Sequence, residues 1–363
     1  MKKFTGFERG IGIGGWLTNF KRYQCIRREW HDIFTAGDLE HFQTYIQESD
    51  VENIAKMGFD HVRVCFDQIV LQEKDGSFNE THFRLIDNFV TWCEKYNLNI
   101  VFNLHKAVGN YCDIADPVSL LDSEELQKGF IEFWLEIERR YTDKKEIVFE
   151  ILNEVKWGDP EKWNSLARDT IQAIRTVNKQ RKIIIGCMNF GNVDQLDSLE
   201  IFDDENIIYT FHYYKPEAFT HQRGVLREYE EFYNRNMPYP DDTVERYDDY
   251  MKTVCNVSGF YDGYQSMDKK WIYDSLLPVK KWIEKHPDKI LWCGEFGTIR
   301  HAKLEWRIAW FKDVISFLKE NEIPYSVWNY LSTPNDGNKF SLVDDDDRKV
   351  LSEELLKTLL GKF

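Results

Sequence analysis

Short apolar, β-branched runs alternate with amphipathic segments along the whole chain, and that alternation most limits the fold. The runs fall at 11–14, 61–66, 100–105, 147–154, 183–188, 207–213, 290–295 and 325–330. The run at 147–154 is apolar almost throughout, as a strand buried on both faces is. Between the runs, apolar spacing predicts helices at about 50–58, 81–96, 123–141, 161–178, 271–285, 304–321 and 353–360. Eight strands alternating with helices, and no Pro/Gly/Ser-rich linker, predict a single α/β domain, a (β/α)8 barrel. Such a barrel needs about 250 residues, and the chain has 363. The surplus lies at 215–270, a polar, acidic stretch rich in Tyr and Phe. It reads as one inserted cap subdomain after strand 6, on the face where barrel loops build sites.

Lys+Arg 47 against Asp+Glu 62 gives a net charge of -15. A polyanionic partner such as nucleic acid is therefore excluded as an expectation, and neutral polymers or small neutral molecules fit better. Trp 12, Tyr 18 and Phe 25 make a high aromatic share, suited either to stacking on sugar faces or to a thick aromatic core. The cysteines are seven, scattered and without a CxxC pair, which predicts a reducing compartment or free thiols, and no metal cluster. No transmembrane run and no apolar leader after Lys2 and Lys3 are present, so a cytoplasmic site is expected if the chain is complete, and a secreted one if a leader has been removed. A monomer is expected. The acidic run 344–347 reads as a solvated turn rather than a calcium loop.

The stretch Gly10-Ile11-Gly12-Ile13-Gly14-Gly15 matches a dinucleotide-binding fingerprint in letters only, because its glycines overlap the strand and no helix follows. HExxH, GxSxG and Walker patterns are absent. What remains is a set of polar residues at or near the carboxyl ends of strands. Arg63 interrupts strand 2, His105 ends strand 3, and Asn153 and Glu154 end strand 4. His212 and Tyr214 end strand 6, Glu295 ends strand 7, and Trp328 sits in strand 8. A carboxylate at the end of a buried run costs free energy unless something uses it. Two such runs, ending in Glu154 and Glu295, can cooperate only where a barrel brings the same ends of distant strands together. Glu150 lies deeper and is expected to pair with a buried cation such as Arg63.

These residues, in this order, resemble glycoside hydrolase family 5, the cellulase family of retaining (β/α)8 glycosidases. The match rests on Arg63, His105, Asn153-Glu154, His212 with Tyr214, Glu295 within Gly-Glu-Phe-Gly, and Trp328. The pieces at 211–216 and 220–222, followed by a long insertion, are most similar to the clostridial endoglucanase C type. The resemblance implies Glu154 as acid/base and Glu295 as nucleophile, with no metal and no organic cofactor. It also implies that Arg63, His105, Asn153, His212, Tyr214 and Trp328 bind substrate or orient the pair. Lys106 stands where many relatives have a second His, Val155 replaces a Pro, and Asn103 an Asp. The implied function is a retaining endo-β-glucanase on β-1,4 or mixed-linkage β-1,3-1,4 glucan, polymer or oligosaccharide. Competing readings are an exo-acting β-glucosidase or β-mannanase on imported oligosaccharides, and a barrel that binds sugar without cleaving it. The aromatic residues of the insertion, Phe219, Tyr229, Tyr233, Tyr239 and Tyr264, either face the cleft or make a private core.

Overall fold

The computed structural model describes residues 2–19, 34–111, 118–226, 230–231, 234–333 and 336–363. Its barrel strands are β1 (Arg9–Leu17), β2 (His61–Asp67), β3 (Asn99–Lys106), β4 (Ile147–Glu150), β5 (Ile183–Gly186), β6 (Ile207–Tyr213), β7 (Ile290–Phe296) and β8 (Tyr325–Val327). Each pairs in parallel with its neighbour in sequence, and β8 closes on β1 through Arg9 opposite Tyr325. Three strands end earlier than their apolar runs predict. β4 stops at Glu150 because the chain then bends across the barrel mouth: Ile151 donates to the Ile184 carbonyl at 3.2 Å and Asn153 to the Leu104 carbonyl at 2.9 Å. Asn153 and Glu154 therefore lie on the loop after β4. β5 stops at Gly186 and β8 at Val327, so Trp328 follows its strand instead of sitting in it.

The outer layer holds α1 (Glu48–Met57), α2 (Glu80–Lys95), α3 (Glu124–Tyr141), α4 (Pro160–Val177), α5 (Lys269–Ser275), α6 (Leu277–Lys285), α7 (Leu304–Glu320) and α8 (Glu353–Leu359). Caps set several starts: Asn79 accepts from the Thr81 and His82 amides, and Ser123 from Leu126. The helix expected over 271–285 is two, α5 and α6, divided at Leu276. Pro278 explains the break, since it lacks an N–H and is tolerated only in a first turn. After β5 a 3-10 segment, Val193–Ser198, follows in place of an α-helix.

Inside the barrel, the two-residue period of each strand sorts side chains by depth. Phe4 and Phe7 stack at 4.4 Å and plug the lower end against Val101, Val148, Ile184, Ile208, Ile290 and Trp292. Two residues higher along the same strands, the positions become Asn103, Glu150 and Thr210. The interior thus passes from apolar to polar toward the carboxyl ends.

The insertion after β6 closes on itself through paired backbone bonds between Asp241 and Met267, 2.9 Å each way. Tyr247, Tyr250 and Tyr261 are buried, and Tyr261 packs 5.5 Å from Trp271. Phe219 and Tyr239 are also buried, 5.5 Å apart, and Tyr264 is half-buried. Tyr229 and Tyr233 lie outside the described residues. In the run 344–347, Asp345 is paired with Arg300 and Lys339, so that residue is not merely solvated. The described cysteines, Cys65, Cys93, Cys187, Cys255 and Cys293, are free thiols; Cys25 and Cys112 fall outside the described residues. No helix among the described residues is long and apolar enough to cross a membrane.

The glycines of β1 have a steric reason. A Cβ on Gly12 would stand 2.8 Å from the Trp328 ring, one on Gly14 2.5 Å from it, and one on Gly10 2.1 Å from the His61 ring. The strand is bare so that an indole can lie on it. Gly14→Ala should therefore cost about 1–3 kcal/mol by overpacking and alter the near-UV circular dichroism of Trp328, both measurable in one urea titration. Unchanged stability with an unchanged spectrum would contradict the close fit.

Candidate active site

Arg63 organises the mouth of the barrel. Its inward position on β2 leaves the guanidinium fully buried, where a cation persists only if paired. Glu150 binds it through two bonds, Nε to Oε2 at 2.6 Å and Nη2 to Oε1 at 2.9 Å. Nη2 also donates to Asn153 Oδ1 at 2.6 Å, and Nη1 donates to Glu295 Oε1. One side chain thus links β2, β4, the loop after β4, and β7.

Glu295 receives a second bond on its other oxygen, from the Tyr214 hydroxyl at 2.9 Å. Burial alone would push its pKa up. The charges of His212, Arg63 and His105 and the Tyr214 bond outweigh that and bring it from 4.5 to about 2. Burial, followed by the Glu295 charge, pushes the Tyr214 hydroxyl well above its ordinary value, so it remains a donor. A carboxyl whose pKa is depressed in the fold stabilises it above the unfolded value near 4.5, and that contribution disappears as pH falls toward 2. Its size is on the order of 3 kcal/mol.

Glu154 sits in a different setting. It is half-buried, and its Oε1 lies 2.9 Å from His212 Nδ1. His212 is buried, which lowers its pKa, but Glu295 and the bond to Glu154 raise it net above 6.5. Asn110 Nδ2 fixes the loop by donating to the Glu154 carbonyl at 3.1 Å. One oxygen of Glu154, one of Glu295 and a His212 nitrogen all fall within 4.8 Å of one another. That spacing could hold a metal ion, but Arg63 already supplies a countercharge bonded to Glu295, and a second cation beside it would be repelled.

His105 and Trp328 make one wall, stacked at 5.6 Å and 8°. His105 Nδ1 lies 2.9 Å from Asn103 Oδ1, and Nε2 lies 3.4 Å from Asn19 Nδ2. Every residue singled out from the sequence is therefore brought to one end of the barrel: Arg63, His105, Asn153, Glu154, His212, Tyr214, Glu295 and Trp328. Others emerge only from the structure. Asn19 bonds both His105 and Lys106, and His221 and Phe340 pack edge-on to Tyr214 at 5.3 and 5.9 Å. Nothing in a polar loop residue such as Asn19 distinguishes it beforehand. Near Glu154, three successive residues, Asn189, Phe190 and Gly191, have left-handed φ of 51°, 61° and 72°. For the two that are not glycine this costs about 1–2 kcal/mol each.

A closed parallel barrel with two carboxyls converging at its carboxyl-end mouth, one held ionised and the other bonded to an imidazole, is the architecture of a glycoside hydrolase. Residues 27–333 match the cellulase model of glycosyl hydrolase family 5. The chain is 36% identical to endoglucanase C of Acetivibrio thermocellus, over 98% of each protein. It is 31% identical to cellodextrinase A of Ruminococcus flavefaciens, over 86% of this chain and 82% of that one. Among solved structures, Thermotoga maritima Cel5A in complex with cellobiose superposes with a TM-score of 0.72 at 26% identity, over 97% of each chain. The chain belongs to glycosyl hydrolase family 5, the cellulase family.

The Tyr214 bond gives a test of the electrostatics. Tyr214→Phe removes a donor to an ionised carboxylate, so the Glu295 pKa rises. The acid limb of kcat/KM for an aryl β-cellobioside should then move up by about one pH unit, with a loss of stability of about 1.4 kcal/mol above pH 4.5. An unmoved acid limb would mean that Arg63 and the histidines alone set the ionisation.

Proposed function

We propose that the chain is a retaining endo-β-glucanase, cleaving β-1,4 or mixed-linkage β-1,3-1,4 glucan, with Glu295 as nucleophile and Glu154 as acid and base. The observation that carries this reading is the unequal treatment of two carboxyls whose oxygens approach within 4.8 Å. That proximity is in keeping with the ~5–5.5 Å between the carboxyl groups of retaining enzymes. Glu295, with a pKa near 2, is ionised at any working pH and is aimed by Arg63 and Tyr214. Glu154 has access to solvent and is hydrogen-bonded to His212 Nδ1.

The steps follow from those positions. A glucosyl unit rests on the Trp328 indole, and Asn153, fixed by Arg63, is placed to bond its 2-hydroxyl. Glu295 attacks the anomeric carbon while Glu154 passes its proton to the departing glycosidic oxygen. An ester to Glu295 forms as the glycosidic bond breaks. Glu154, now a carboxylate, takes a proton from water, whose oxygen displaces Glu295 from the same face that the leaving sugar vacated. Two inversions give net retention. β-Glucan as the substrate class is supported by the relatives' names, endoglucanase and cellodextrinase.

The two roles separate by experiment. Glu154→Ala should lose polysaccharide hydrolysis yet still form the intermediate from a dinitrophenyl β-glycoside, and azide should restore turnover as a β-glycosyl azide. Glu295→Ala should be inactive on both substrates, or give at most the α-azide. The opposite pattern would exchange the assignments.

We read 215–270 as a cap beside this site. In support, Thr220 donates to the Tyr214 carbonyl and His221 packs against the Tyr214 ring. Replacing 242–266, the loop closed by the Asp241–Met267 bridge, with a short Gly-Ser linker should shift the chain lengths released from β-glucan. A folded variant with unchanged products would leave the buried tyrosines as a private core only.

A further inference from the structure

Three arginines are buried among the described residues, Arg63, Arg181 and Arg307. A guanidinium taken out of water needs an acid, and acceptors for its five N–H groups. Arg63 has Glu150 and Glu295. Arg181 has Glu138 at 2.7 Å and the carbonyls of Tyr141, Lys144 and Ile147. Arg307, in the first turn of α7 and only 6% exposed, has no such set. Its one bond runs from Nε to the Thr298 hydroxyl, a neutral partner, at 3.1 Å. Among the described residues no carboxylate pairs with it, and the charge that bears on it is that of Arg300, of the same sign. Burial first, and then Arg300, bring its pKa from 12.5 down to about 10, so it is still a cation at neutral pH. Its terminal N–H groups have no acceptor among the described residues, and neither terminal nitrogen is sealed from solvent.

The surroundings add positive charge, although the chain as a whole carries -15. Arg223, Arg300 and Lys339 all act on His301, next to Arg300 in the chain, and after burial they help to lower its pKa. The acid that meets this group, Asp345, is already divided between Arg300 and Lys339. We propose that Arg307, with Arg300 beside it, binds a small oxyanion, either inorganic phosphate or the carboxylate of an acidic sugar. Two oxygens of such a group match the paired terminal nitrogens of a guanidinium, which a halide cannot do. Charge-assisted bonds to the anion offset the cost of burying the cation. Thr298 holds Nε, so the fork is aimed before the anion arrives. The same loop supports the active site. Ile299 N–H donates to the Thr220 carbonyl at 2.8 Å and Arg300 N–H to the Lys339 carbonyl at 2.7 Å. Thr220 in turn bonds the Tyr214 carbonyl, and Phe340 packs against the Tyr214 ring. An anion at Arg307 therefore braces the segment that leaves β7 just after Glu295.

Thermal unfolding of the whole chain near pH 7 tests the site, with sodium phosphate, sodium glucuronate or sodium chloride added at equal ionic strength. Phosphate at about twenty times its dissociation constant should raise the midpoint by about 2–3 °C over chloride, along a saturating curve. A saturating rise with glucuronate and none with phosphate would assign the site to a sugar carboxylate. Arg307→Met keeps the apolar stem and removes the fork, so the rise should vanish. Its midpoint in chloride should be no lower than the parent's, because its loss strands no acid. Arg300→Gln, at a partly exposed position, should weaken the apparent affinity about fivefold, and it carries the test if the variant at 307 does not fold. No saturating rise with either anion, or a rise that survives both substitutions unchanged, would overturn the site. The measurement does not involve catalysis, so an enzyme inert toward glucan would overturn the glucanase reading and leave this result standing.

Discussion

A buried guanidinium holds this site together. Removing Arg63 from water carries a desolvation cost of several kcal/mol, met by two carboxylates and an amide that would themselves be costly unpaired. Loss of Arg63 would leave Glu150 and Glu295 facing each other without a cation, a defect of the kind that costs about 3–5 kcal/mol. The same contacts that keep the barrel mouth folded keep Glu295 ionised and Asn153 in place. Stability and chemistry are inseparable at this residue.

The depth gradient inside the barrel explains why the charges gather where they do. Phe4, Phe7 and Trp292 close the lower end, so water and substrate have access only from the carboxyl-end side. In a cavity closed below and polar above, electrostatic interactions are weakly screened. A few fixed charges and one hydroxyl bond can therefore hold one glutamate near a pKa of 2 while the other, a few ångströms away, keeps contact with solvent.

Much of this was legible in the sequence, and for identifiable reasons. A charge within an apolar run stands out, so Arg63, Glu150 and the terminal glutamates could be read directly, and so could the partnership of Arg63 with Glu150. The register of eight apolar runs conveyed the barrel because each strand is buried on both faces. Strand ends were less legible, since Ile151 and Leu152 remain buried after the ladder has stopped at Glu150. The tyrosines of the insertion were ambiguous, as composition does not say which way a ring points. The turn at 189–191 had no readable sign: Phe is among the residues least expected at positive φ, and only the flanking Asn and Gly hint at it.

The bare strand β1 and the Trp328 ring that lies on it are complementary surfaces, and neither can drift alone. A side chain gained at position 12 or 14 has no room while the indole is present, and a smaller residue at 328 uncovers the backbone on which the indole lies. Substitutions at these three positions are therefore expected to be strongly non-additive, and a chain exploring sequence space must cross them together or not at all.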